Sequence, residues 1–446
     1  MKKRNLTEGS IAKNLLFLAA PIVLGMMLHS AFNIIDTIFI GMLGANELAA
    51  VAITFPVVFV FIAMASGLSI GATVLISQSI GANDLKNASN AAEHSLLLAL
   101  VIGVLIAVLG ILFSEPIFVF MGADANILPL TIQYSQLIFI GFIFLFIGFI
   151  AQGILQAEGD SKTPFKFNLI AVILNVVLDA ILIFGLIGFP AMGIVGAALA
   201  TVISRSIGAF LMIAFLLRGK AQTKACFNLK YFKFDLGIVK KLFALGIPAS
   251  IGNITSSIGM ILLMSFIGVF GSHAIAAYGI GLRIDSIARM PIIGLMSAVV
   301  AITGQNIGAK NFERINKTVK IALGLVLITM IPATIIMISF PELLFGIFSS
   351  DANVLSAGAE YLSIVAFSYV FFGIAFISMG ALQGAGKTIL SALLIALNWI
   401  LVLLFAFYLK DSMGLIGIWY SILAATILFT GVSGIIYLSK IWLRNK

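Results

Sequence analysis

The chain of 446 residues carries a single cysteine, Cys226, so an internal disulfide is excluded. That thiol lies in a basic stretch and reads as incidental. Charge is scarce: only 10% of the residues are Asp, Glu, Lys or Arg, against about 25% in an ordinary soluble domain. With 61% apolar residues and a mean hydropathy of +1.19, such a chain cannot cover itself with polar surface, so lipid is its solvent. Histidine is rare and no Cys/His/Asp/Glu group has metal-site spacing. No Ser/His pairing suggests a nucleophile. The segment GAGKT at 384–388 lacks the spacing of a phosphate loop and follows an apolar run. No stretch alternates like a barrel strand.

What the sequence does have is long apolar runs. Six fall between 14–42 and 192–217, and six more between 241–269 and 414–439. Each is long enough for a helix crossing a hydrocarbon core of about 30 Å. An all-α polytopic membrane protein of twelve transmembrane helices is therefore expected. The basic start MKKR followed by an apolar run has the outline of a signal peptide, but a similar segment recurs near residue 242. The first run is thus expected to remain as a structural helix.

Positive charge is one-sided. Lys13, Lys86, Lys162, Lys166, Lys310, Arg314 and Lys387 sit in one set of loops, and Lys410 sits in the other. The positive-inside tendency places the first set, and both termini, in the cytoplasm of a plasma-membrane protein. The net charge of +9 then reflects topology and contact with anionic lipid, not a nucleic-acid partner.

The chain also repeats itself. SQSIGA at 77–82 returns as GQNIGA at 304–309, Asp124-Ala125-Asn126 as Asp351-Ala352-Asn353, Pro21 as Pro248, and Tyr134 as Tyr361, all at an offset of about 227 residues. After a short deletion Met192-Gly193 matches Met413-Gly414. An even number of spans per repeat returns the chain to the same side, so two like six-helix bundles are related by a pseudo-twofold axis along the membrane normal. The expected organisation is an amino-terminal lobe over 1–217, a cytoplasmic linker over 218–240 and a carboxy-terminal lobe over 241–446, as a monomer.

A carboxylate at membrane depth costs several kcal/mol, by estimates from about 3 upward, and persists only beside a cavity or a partner. Asp36 and Asp179 are the main cases. His29, Asn33 and Asp36 share one face of the first helix, and Asn168, Asn175 and Asp179 share one face of the fifth. The two polar stripes reach similar depth, which suggests that they meet. Two close carboxylates in low dielectric cannot both ionise cheaply, so such a pair can take up a proton outside and release it inside. With Asn175 and a hydroxyl such as Thr201, the same oxygens suit a hard cation, giving a candidate Na+ site at Asp36, Asn175 and Asp179. The competing reading is a hydrogen-bonded knot joining two helices. His29 is as readily a satisfied interior histidine, and Asn33 and Asn168 divide evenly between roles. Pro21 permits a bend in the first helix or sets a static kink. Asp285 and Arg289 are four apart and suit a structural ion pair; Arg283 and Asp285 are alternatively part of a cavity lining or gate.

Asn33-Ile34-Ile35-Asp36-Thr37, SQSIGA, LQAEGDSKTP at 155–164 and LNVVLDAILIFG at 174–185, taken with the twofold repeat, resemble the multidrug and toxic compound extrusion (MATE) family. The resemblance covers nearly the whole chain. It implies no enzyme and no cofactor, but an antiporter that expels small organic, often cationic, compounds against an inward flow of H+ or Na+. It also implies Asp36, Asn175 and Asp179 as the coupling site, with Thr201 beside them. The position matching Asp36 in the second half is Leu263, which fits the branch with its coupling site in the amino-terminal lobe. Two other readings remain: a lipid-linked precursor flippase of the same superfamily, and, remotely, an intramembrane enzyme using an aspartate pair.

Overall fold

The computed structural model describes residues 5–218 and 232–443. Most of the expected linker, with Cys226, and the charges at Lys2, Lys3, Arg4, Arg444 and Lys446 lie outside the described residues. The first half forms α1 (Ile11–Gly41), α2 (Ala45–Gly81), α3 (Leu85–Leu112), a short α4 (Ser114–Phe120), α5 (Leu128–Ala157), α6 (Lys162–Phe184) and α7 (Gly193–Leu217). The second half forms α8 (Leu236–Gly268), α9 (Ser272–Gly308), α10 (Phe312–Ser339), a short α11 (Pro341–Gly346), α12 (Ala352–Val365), α13 (Ser368–Gly384) and α14 (Thr388–Leu438). Among the described residues there is no strand. Hydrocarbon offers a backbone no hydrogen-bond partner, so each crossing segment must satisfy its own amides, as a helix does.

Ten of these helices are long and apolar enough to cross a membrane, and α12 with α13 makes another span, bent by 48°. The remaining crossing is hidden in α14, which is 51 residues long but has a left-handed, non-helical residue at Gly414 (φ 63°). A Cβ placed on Gly417 would come within 2.4 Å of the Leu409 carbonyl oxygen, so the chain doubles back there. The same turn occurs in the first half, where a Cβ on Gly196 would lie 2.6 Å from the Leu182 backbone. The architecture is thus the expected one of twelve transmembrane helices in two six-helix lobes.

The repeat extends to local hydrogen bonds. Asp84 caps α3 by accepting from the Asn87 amide at 2.9 Å, and Asn311 caps α10 by accepting from the Arg314 amide at 3.2 Å. The residue before each cap, Asn83 or Lys310, is left-handed, with φ of 59° and 55°. Asp124 and Asp351 each accept from an amide two residues on at 2.8 Å. The duplicated motifs therefore encode helix stops and starts.

By their contacts the described residues fall into two compact units. One contains Leu24–Ser250; the other contains Asn5–Val23 and Ile251–Lys446. The division cuts within α1 and α8, whereas the lobes drawn from the repeat break at the linker. In the first unit α5 is the central rod, packed on α2, α3 and α7, with Phe139, Phe142, Phe146, Ile150 and Ile154 buried. Helix α3 approaches through Gly110, where a Cβ would sit 2.4 Å from the Phe139 ring. Small residues permit such approach where lipid supplies no hydrophobic drive between helices.

In the second unit α13 packs on α9, α10 and α14, and a polar cage adds to the packing. Asp285 of α9 pairs with Arg289 at 2.7 Å. The same carboxylate accepts from the Tyr361 hydroxyl of α12 at 2.9 Å and from the Tyr369 hydroxyl of α13. Arg289 lies over the Phe372 ring at 4.7 Å, and Tyr361 meets Trp419 of α14 edge-on at 4.9 Å. Asp285 is 3% exposed. The ion pair read from the four-residue spacing therefore forms, and its other partners come from two further helices.

Replacing Asp285 with Ala leaves a half-buried guanidinium and two buried hydroxyls unpaired, which should cost roughly 3 kcal/mol, read as a lower melting temperature in detergent; Asp285→Asn, which keeps an acceptor, should lose less. Gly196→Val and Gly417→Val each drive a side chain into backbone and should abolish recovery of monodisperse protein in size-exclusion chromatography. Gly431→Ala, where no atom lies within 4 Å of the added Cβ, should be silent in the same assay.

Candidate functional site

The site is assembled by α1, α5, α6 and α7 in the first unit. Helices α6 and α7 lie close along their length. Besides the contact at Gly196, a Cβ on Gly208 would meet Ala171 at 3.2 Å. That seam holds Asn175 and Asp179 of α6 inside the protein, at 2% and 0% exposure, and Thr201 of α7 is buried as well. Asp36 of α1 is half-buried. Asp36 and Asp179 lie within electrostatic range of each other. Arg205, one helical turn beyond Thr201, is in range of Asp36 and of the buried Tyr134 of α5. Asp36 and Asp179 thus belong to one unit, while the other members of the two expected stripes do not join them: His29 and Asn33 are exposed and Asn168 bonds to Gln152 of α5.

Their hydrogen-bonding state is the defining feature. Both carboxylate oxygens of Asp179, both amide atoms of Asn175 and Oδ1 of Asp36 are buried without a hydrogen-bond partner. Elsewhere the chain's buried hydroxyls mostly donate back to a carbonyl one turn earlier, as Thr54, Ser95 and Thr426 do at 2.8, 2.6 and 2.7 Å. A hydrogen-bonded knot between α1 and α6 would pair these atoms with one another, and they are not so paired. An unpaired buried carboxylate is expensive. A proton or a hard monovalent cation relieves that cost, because the unsatisfied atoms are mainly oxygens, and oxygen is the ligand such cations take. Among the described residues no cluster of three or more His, Cys, Asp or Glu is suited to a transition metal.

The other candidates lie around this centre with less to say. Asn168 donates to Gln152 at 3.2 Å, which ties α6 to α5. His29 and Asn33 are exposed on α1; the His29 ring tilts against Phe32 at 5.9 Å, and the Asn33 carbonyl accepts from Thr37 at 2.7 Å. Pro21 is buried inside α1, in the part of that helix belonging to the second unit. Arg283 is exposed and Asp285 is enclosed in the cage. Sequence reasoning used Tyr134 and Tyr361 only as repeat markers. The repeat itself was the available signal: a tyrosine kept at one position of both halves, within electrostatic range of Asp36 in the first and bonded to Asp285 in the second.

Comparison with known proteins follows the same outline. The family model MatE matches twice, at residues 21–181 and 248–408, which are the two repeats in register. The probable multidrug resistance protein YoeA of Bacillus subtilis is 31% identical, over 86% of this chain and 83% of its own. The multidrug export protein MepA of Staphylococcus saprophyticus is 27% identical, over 97% of this chain and 95% of its own. A solved outward-facing structure of a multidrug resistance MATE family transporter of the MOP superfamily superposes with a TM-score of 0.90 at 27% identity, covering 99% of this chain and 98% of that one. The chain therefore belongs to the MatE family, a multi-pass membrane transporter and not an enzyme.

Proposed function

We propose that this transporter exports small organic, often cationic, compounds from the cytoplasm by alternating access, in exchange for inward-moving H+ or Na+. The single observation that supports the coupling part is the set of orphaned oxygens at Asp36, Asn175 and Asp179. These atoms have no partner of their own, so their free energy depends on whether a cation is present. Thr201 adds a hydroxyl at the edge of the set. The export direction and the substrate class rest on the relatives, which are named for multidrug resistance and export. The charge bias of the loops supports residence in the plasma membrane with cytoplasmic termini, and the presence of both repeats in each chain supports a monomeric working unit.

The cycle rests on reciprocal linkage. A cation that enters from outside and neutralises Asp36 and Asp179 lowers the affinity of the first unit for a cationic compound, which leaves outward. The same linkage requires that bound substrate weaken cation binding by an equal factor. With no cation bound, the orphaned carboxylates favour the positively charged cargo instead. One negative centre thus serves two competing positive ligands, and antiport needs no further device than that competition together with a change of access.

Proteoliposomes with separately imposed proton and sodium gradients test this reading. The ion whose gradient alone drives uptake of a fluorescent organic cation into inverted vesicles is the coupling ion, and failure of both gradients would refute the scheme. Asp36→Asn and Asp179→Asn should each insert normally yet lower gradient-driven transport at least ~5-fold, the low end of a working coupling energy. Undiminished efflux by Asp36→Asn would remove that residue from the mechanism.

A further inference from the structure

The first unit also holds a charge of the opposite sign to which the cation exchange gives no task. Arg205 stands midway along α7 (Gly193–Leu217), where an arginine costs several kcal/mol, by estimates from about 2.5 upward, unless it finds a partner or water. Its repeat counterpart is Thr426, whose hydroxyl donates to the Ile422 carbonyl of its own helix at 2.7 Å. The matching place in the second unit therefore packs without a charge, so the fold itself does not call for a guanidinium.

Helix geometry aims Arg205 inward. The exposed stripe of α7 is Ile203, Ile207 and Phe210, at spacings of four and three. Arg205 lies on the opposite side, with the buried Thr201, Gly208 and Met212. Gly196 against Leu182 and Gly208 against Ala171 fix the antiparallel register of α7 on α6. That register puts Arg205 level with residues 173–175, about 8 Å along the axis from Asp179 at 1.5 Å per residue. A helical side chain leans toward the amino terminus of its helix. The lean carries the guanidinium back toward the acids, in accord with its electrostatic range to Asp36, Tyr134 and His29.

Range does not become contact. Among the described residues Arg205 makes no hydrogen bond and no ion pair, and Oδ1 of Asp36 is unpaired as well. The neighbouring hydroxyls of Ser204 and Ser206 donate to the carbonyls of Ala200 and Val202. Arg289 of the second unit shows the alternative, with its carboxylate at 2.7 Å and the Phe372 ring at 4.7 Å. The Arg205 guanidinium is instead half-buried with its N–H donors unspent. Level with it on α6, Asn175 adds Nδ2, a buried donor that also lacks an acceptor. Planar oxyanions are the ligands that a guanidinium fork takes, through paired N–H···O bonds.

We propose that Arg205, with Asn175 Nδ2 at its level, is an anion-recognition subsite for cargo, and that the compounds exported carry a carboxylate as well as a positive charge. The proposal rests on the export reading and adds to it the charge pattern of the cargo. Asp36 and Asp179 draw the positive group, and Arg205 holds the carboxylate deeper in the unit. Each charge of such a zwitterion meets its opposite. A cation alone leaves the guanidinium unanswered, and a simple anion meets the acids. An interior that holds both signs apart therefore selects dipolar compounds over either kind.

One rhodamine dye in two forms, as its free carboxylate and as its methyl ester, tests this, with binding read by fluorescence polarisation on the purified full-length protein in detergent. The carboxylate form should bind at least ~10-fold tighter than the ester, the low end for hydrogen bonds to a charged group. Arg205→Gln should bring the two within about twofold by weakening the carboxylate form, and Arg205→Lys, which keeps the charge but not the fork, should fall between. Equal affinity of the unaltered protein for both forms would overturn the proposal, and that comparison needs no variant to fold. So would a loss in Arg205→Gln that falls alike on acid and ester, the behaviour of an arginine that serves only Asp36 or the packing of α7. Transport separates this proposal from the reading beneath it. If binding tells the two forms apart but neither a proton nor a sodium gradient moves either form across proteoliposomes, the export reading fails and the subsite stands.

Discussion

Hydrocarbon gives a polar group nothing to bond with, and most of this structure follows from that constraint. It turns every crossing segment into a helix, it makes helices meet through small residues, and it makes an unpaired polar atom costly. Against that background the two aspartate centres are opposites. Asp285 is surrounded by donors, with Arg289, Tyr361 and Tyr369 all directed at one carboxylate. Asp179 is fully buried and has none. A saturated carboxylate gains nothing from a further cation and serves to hold α9, α12 and α13 together. An unsaturated one has acceptor capacity left for a cation. The same residue type thus takes a structural role in one repeat and a candidate coupling role in the other, and the difference lies in what surrounds it.

Close packing supplies the rigidity that such a reserve requires. An orphaned carboxylate would relax onto a neighbouring donor if its helix were free to turn or slide. Contacts at Gly196 and Gly208 fix α6 against α7, and the Asn168–Gln152 bond fixes α6 against α5. Asn175 and Asp179 are therefore held on a scaffold whose register cannot shift without backbone collision. In lipid, where helix association depends on van der Waals fit and interhelical hydrogen bonds, glycine seams are the means available for fixing that register.

Much of this was legible in the sequence. Hydropathy gave the spans, and the offset of about 227 residues gave the two lobes, down to the paired caps at Asp84 and Asn311. The helical spacing of Asn175 with Asp179 and of Asp285 with Arg289 pointed to a face and a pair because those relations are local. Non-local relations were not readable. Nothing in the order of residues says that Tyr361 and Tyr369, 76 and 84 positions from Asp285, complete its cage. Nor does the linear repeat say on which unit the first turns of α1 and α8 pack. The repeat divides the chain at the linker, while packing divides it two residues past each proline.

The exchange of half-helices also bears on why a duplicated chain keeps both copies in one polypeptide. Each repeat donates the beginning of its first helix to the unit completed by the other, through matched positions, Gly67 with Ser250 and Gly294 with Val23. A single repeat expressed alone would lack the segment that fills its own α2 or α9 seam and would expose an unfilled glycine groove to lipid. Covalent fusion guarantees one donor per acceptor. It also frees the two copies to diverge in charge, because the seam residues that join them are small and apolar or nearly so, and they place no demand on what sits at Asp36 or at its counterpart Leu263. Asymmetric chemistry on a repeated frame is then the natural outcome: one repeat keeps the orphaned acids and the other the saturated cage.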